Sequence, residues 1–178
     1  MSGEENTTIR NFKITRKLLH GKYRLGEIFS GLEYSPPMCE LFGDDQELHK
    51  LRNLDVEITD DAKYMRVSDH DGRLMISPNY LRRGRKEFIY LDLVHELIHV
   101  RQFQQGRDIY DQKYRYIDRP TELAAFSKAV TEARRIGLSD PEIYEYLKVD
   151  WISMSELEEL ARRLGVAPPS TKIAPKMK

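Results

Sequence analysis

Two histidines four residues apart, His95 and His99, bracket Glu96-Leu97-Ile98. On a helix, residues at that spacing stand one turn above one another, so both imidazoles project from one face and can ligate a single divalent cation. Glu96 lies beside them without being a ligand. It is the candidate general base: a zinc ion lowers the pKa of bound water to about 7, and a carboxylate next to it can take that proton and later return it to a leaving group. Two of the five histidines in the chain fall in this HExxH motif. Leu93, Val94, Leu97 and Ile98 around it are apolar, the pattern of a helix buried on the sides flanking a site. A chance pair of surface histidines, the competing reading, would sit on a solvated strip instead.

A catalytic zinc usually takes three protein ligands and keeps one position open. No histidine follows His99, so a carboxylate must serve, and Asp108, Asp111, Asp118, Glu122 and Glu132 are the candidates. Glu122 is favoured because it falls in the first turn of a helix opened by Pro120. The small Ala124 and Ala125 beside it allow a close helix approach, and the intervening loop is long enough to reverse direction. The alternative for Glu122 is an acid favourably placed near a helix N-terminus. Asp92, one turn before His95 and Glu96, is placed either to orient an imidazole or to face solvent. In the loop Tyr110 to Arg119, Tyr114, Tyr116 and Arg119 form a group of candidate oxyanion donors, against an ordinary role in packing or at the surface.

The elements that must position these groups follow from periodicity. Lys86 to Gln105 contains no Gly or Pro and meets Gly106 at the expected C-cap, which makes it the clearest helix in the chain. A second long helix should open at Pro120 and run to about Ile136. Val56-Glu57-Ile58-Thr59 alternates as a strand does, Tyr64 to Val67 offers a second, and Arg73 to Ser77 a third, the last two joined through Asp69-His70-Asp71-Gly72. Pro78 cannot donate to a ladder, so the third strand must end there or lie at an edge. Upstream, Leu18, Leu19, Tyr23, Leu25, Ile28 and Phe29 recur at helical spacing over Thr15 to Ser30, and Asp44 to Leu51 reads as a short capped helix. Downstream, Ser139-Asp140-Pro141-Glu142 and Ser155-Glu156-Leu157-Glu158 have capping-box form, and Trp151 is expected in the packing of the helices they open. Helix, then sheet, then helices is the order of an α+β fold with a small, mostly antiparallel sheet. The expected organisation is an N-terminal helical extension over 1–54, a core over 55–137, C-terminal helices packed on it over 138–166 and a flexible tail over 167–178.

Composition narrows the classes. The chain has 178 residues, 33% of them charged and 40% hydrophobic, enough to bury a core without staples. Cys39 alone excludes a disulfide scaffold and is read as a small buried hydrophobe rather than a latency ligand. The polar start Met1 to Asn6 lacks signal-peptide character and no apolar run reaches spanning length, so a soluble, cytoplasmic protein with no membrane partner is expected. With 29 basic and 29 acidic residues there is no global field for a polyanion, and the run Arg82-Arg83-Gly84-Arg85-Lys86 reads as a helix-capping loop, so nucleic acid is not the expected partner.

The HExxH motif, the downstream helix with its glutamate and a preceding strand resemble the gluzincin group of zinc metallopeptidases, and His95 to Gln102 in so short a chain is most similar to the compact minigluzincin type. The resemblance covers about residues 55–136. It implies a zincin-like fold with one zinc ion held by His95, His99 and Glu122, and peptide-bond hydrolysis through water activated by Glu96. It also implies an edge strand, expected at Leu74, Met75 and Ile76, that holds an extended peptide or protein substrate. The thermolysin-like branch has an aspartate four residues after the ligand glutamate; here Phe126 stands there, and Phe126-Ser127 is similar instead to the ImmA/IrrE family, whose members cut repressor proteins. Two further readings therefore stand beside a general peptidase: a latent or non-catalytic regulatory protein of zincin fold, and a repressor-cleaving protease of narrow specificity.

Overall fold

The computed structural model describes residues 5–43 and 45–169. They fall into two compact units, the first ending at Gly137 and the second beginning at Leu138. In chain order the first unit contains α1 (Glu5–Asn11), β1 (Lys13–Ile14), β2 (Gly21–Arg24), α2 (Leu25–Ile28), β3 (Phe29–Ser30), α3 (Pro36–Phe42) and α4 (Asp45–Arg52). It continues with β4 (Asp55–Ile58), β5 (Met65–Val67), β6 (Leu74–Ile76), α5 (Pro78–Arg83), α6 (Lys86–Gln104) and α7 (Pro120–Arg135). The second unit has α8 (Asp140–Leu147) and α9 (Met154–Arg163). The class is α+β. No helix among the described residues is long and apolar enough to cross a membrane.

The main sheet has the order β2-β4-β6-β5, with β4 and β6 parallel and the two outer pairings antiparallel, so it is mixed rather than simply antiparallel. Leu74, Met75 and Ile76 are all buried, the signature of a strand covered on both faces. That corrects the expected substrate strand: Leu74–Ile76 is flanked by β4 on one side and β5 on the other, and the edge strands of the sheet are β2 and, next to Leu74–Ile76, β5. The β5–β6 turn needs Gly72, whose φ is +73° and where a Cβ would come within 2.5 Å of the Phe103 ring on α6. The hairpin is thereby held against the central helix.

A helix over Thr15–Ser30 does not form. Gly21 to Arg24 instead pairs with β4, Tyr23 opposite Val56, and Ile14 pairs with Phe29 in a separate two-stranded ribbon. Burying Leu25, Ile28 and Phe29 through this arrangement outweighs a local periodicity already weakened by Gly21 and Gly26. The same pairing makes the described residues before Asp55 no separate extension, since β2 completes the sheet of the first unit. The expected cap at Asp44 and the end of the tail, 170–178, lie outside the described residues.

Ser77 caps α5, with Pro78 at the first helical position. The Arg16 guanidinium donates to the Leu81 and Gly84 carbonyls at 3.1 and 2.9 Å, closing the other end beside the basic run. In the second unit Ser139 and Glu142 form a capping box, whereas α9 is capped by Ser153 with Glu156, two residues earlier than the Ser155 reading. Trp151 is half exposed rather than packed in a core.

Candidate metal centre

Helix α6 is the axis of the first unit. Ile89, Leu91, Leu93, Val94 and Leu97 are fully buried, so the helix carries apolar contacts around most of its circumference. It ends in a Schellman motif: the Arg107 amide donates to the Gln102 carbonyl at 3.0 Å and the Gly106 amide to the Phe103 carbonyl at 2.9 Å, with Gly106 at φ +74°. Helix α7 packs against α6, and its Ala125, Ala129 and Ala133 are fully buried while Ala124 faces out. Small side chains at the crossing bring the first turn of α7 up to the His95–His99 face.

Three donor atoms converge there. His95 Nε2 and His99 Nε2 are 3.0 Å apart, and Glu122 Oε2 lies 3.2 Å from the first and 3.4 Å from the second. The residues are 5%, 4% and 4% exposed, and the group could hold a metal ion. The other carboxylate candidates are engaged elsewhere. Asp108 and Asp111 accept backbone amides two residues on, Asp118 pairs with Arg115, and Glu132 accepts from Tyr90 and Arg135.

The partners of the two imidazoles differ. Gln102 Nε2 donates to the Thr121 carbonyl, which can only accept, so its Oε1 is turned to His99 Nδ1 at 2.8 Å. That bond holds the ring with Nε2 directed at the cluster. His95 Nδ1 has no hydrogen-bond partner among the described residues; its ring lies against Phe126, centroids 4.4 Å apart, and Phe126 is backed by the Tyr116 ring at 6.1 Å. Asp92 accepts from Tyr80, so it does not orient His95 through Nδ1. Arg119 lies over Tyr116, 5.8 Å from its centroid, and donates to the Asp111 carbonyl. Tyr116 and Arg119 thus support the ligand set from behind Phe126, and Tyr114 is 45% exposed at the surface.

The electrostatics follow from burial and proximity. Burial lowers the pKa of His95, against the opposing pull of Glu122. Burial also works against the His99 imidazolium, but Glu122 and the charge of Glu96 outweigh it and raise the group to about 9. For Glu122 burial raises the pKa, the two imidazoles lower it, and the net position is about 2. Glu96 is pushed up to about 8, first by burial and then by the charges of Glu122 and Asp92, with His99 opposing.

No known protein family, curated protein or solved structure matches the chain. The local geometry therefore carries the chemical reading. One residue at the centre is absent from the sequence-based set: Tyr110, whose hydroxyl donates to the Val67 carbonyl at 2.5 Å and whose pKa is raised to about 12 by burial and by the charges of Glu96 and Glu122. It was one of three tyrosines in its loop, and nothing in their spacing distinguishes it.

Proposed function

We propose that the chain is a zinc-dependent peptidase of gluzincin type in which Glu96 is the general base, acting in the cytoplasm on peptide or protein substrates. The observation that carries the reading is the triangle of His95 Nε2, His99 Nε2 and Glu122 Oε2, with sides of 3.0, 3.2 and 3.4 Å. Tetrahedral coordination with zinc–ligand bonds of about 2.0–2.1 Å separates neighbouring donors by roughly 3.3–3.4 Å. The donor set therefore fits zinc in size as well as type. Glu122 Oε2 supports the fit further, being buried with both imidazole Nε2 atoms within 3.4 Å.

When bound, zinc supplies Lewis acidity, polarising a carbonyl and acidifying water at its open position. The remaining steps belong to the chain. Gln102 fixes the His99 ring, and Phe126 holds His95 by packing. Glu96 stands next to the ligands beside the β5 edge, and burial places its carboxyl near neutrality, where it can both accept a proton from water and return it to the departing amine. The β5 edge offers backbone groups to an extended peptide, which would then lie across Glu96.

The test pairs metal analysis with hydrolysis. Purified protein should carry one zinc per chain, and Glu96→Gln should keep that zinc while losing roughly 10²- to 10⁴-fold in peptide hydrolysis. A zinc-loaded Glu96→Gln protein of undiminished activity would end the assignment of Glu96.

A further inference from the structure

The ladder between β5 and β6 determines which backbone groups of β5 leave the sheet. The Ser68 amide donates to the Arg73 carbonyl at 2.9 Å, the Ser77 amide donates to the Tyr64 carbonyl at 2.8 Å, and Val67 stands opposite Leu74. Bonded positions alternate in an antiparallel pair, so Tyr64, Arg66 and Ser68 turn toward β6, and the N–H and C=O of Val67 point off the open edge. The carbonyl is already engaged. The Tyr110 hydroxyl donates to the Val67 carbonyl at 2.5 Å. An added strand would pair with this same N–H and C=O. Tyr110 is presented by the segment that leaves the Gly106 turn, where Asp108 accepts the Tyr110 amide at 3.0 Å.

We propose that Tyr110 is a latch on the β5 edge that substrate must displace: a peptide docks only when its own backbone N–H replaces the Tyr110 hydroxyl at the Val67 carbonyl. The inference rests on the peptidase reading and adds to it the residue with which the substrate competes. The latch also selects substrates. It admits an extended segment with a backbone N–H at that position and refuses proline there, which has none to offer.

Tyr110→Phe keeps the ring and removes the competing donor. Fluorescein-labelled oxidised insulin B chain, an unstructured peptide, is titrated by fluorescence polarisation into chelator-treated wild type and variant, so that binding is read without turnover. The variant should bind the peptide tighter by roughly 3- to 10-fold, the range for removing one competing neutral hydrogen bond. With zinc restored, KM should fall by a similar factor while kcat changes little. Binding no tighter than wild type overturns the latch, as does a loss of kcat at constant KM, the mark of a group that touches the reacting atoms. The latch and the peptidase reading fail separately. Wild-type hydrolysis with an unaltered KM in the variant removes the latch alone, whereas tighter binding by a variant whose zinc-loaded parent cleaves nothing removes the peptidase reading alone.

Discussion

The ring of Phe126 meets the imidazole of His95 at 4.4 Å between centroids and an interplanar angle of 66°, on a histidine whose Nδ1 has no hydrogen-bond partner among the described residues. One histidine of the candidate site is therefore held by packing, and the other, His99, by the Gln102 hydrogen bond. Phe126 is 3% exposed, and Phe126→Ala should cost about 3–5 kcal/mol by the cavity it opens. Because the ring is also the restraint on His95, zinc affinity should fall in the same variant. Urea unfolding of metal-free protein and competition against a zinc-binding dye measure the two effects. A destabilised protein with wild-type zinc affinity would show that Phe126 does not position His95.

Gln102 acts on the other histidine. Gln102→Ala removes the acceptor at His99 Nδ1 and should weaken zinc by about 10- to 100-fold, the usual consequence of losing an outer partner of a ligating histidine. Dye competition is the measurement. An effect below twofold would mean that the α6 backbone alone orients the ring.

Glu122 and Glu132, both buried on α7, should separate cleanly. Glu132 accepts from Tyr90 and from Nε and Nη2 of Arg135, within a network in which Ser35 also reaches Tyr90. Glu132→Ala should lower stability by about 3 kcal/mol, since it strands the Arg135 and Tyr90 donors, and should leave zinc stoichiometry at one per chain. Glu122→Ala should do the reverse, abolishing stoichiometric zinc. Elemental analysis of the two proteins decides the third ligand.

The metal-free protein should lose stability as pH rises from about 6.5 to 9. An unfolded histidine releases its proton near 6.5 and an unfolded glutamate near 4.5, whereas folded His99 holds its proton to about 9 and folded Glu96 to about 8. The folded state thus binds more protons throughout that window, and its stability falls with increasing pH. Glu122, at about 2, is ionised in both states there and adds no slope, and His95, lowered, opposes the trend only near pH 6.5, where an unfolded histidine is still partly protonated. Glu96→Gln should remove its share of the slope, and saturating zinc the share of His99, whose Nε2 then holds metal in place of a proton. Melting temperatures recorded across the window test this, and a flat profile in chelator would contradict it.

Spacing along one helix made His95, Glu96 and His99 legible before any coordinates, because the pitch of an α-helix places residues i and i+4 on one face whatever surrounds them. The proline at the start of α7 and the glycine after α6 were equally plain, since each follows from the backbone chemistry of a single residue. Glu122 was separable from four other acids only as the favoured candidate. Its selection required α7 to pack against α6, an approach set by side chains distant in sequence. Strand order, the β2–β4 pairing that replaced an expected helix, and Tyr110 on Val67 likewise depend on burial of segments tens of residues apart. Local spacing contains no record of that long-range burial, so the tertiary fold alone decided which strand became the edge and which tyrosine reached it.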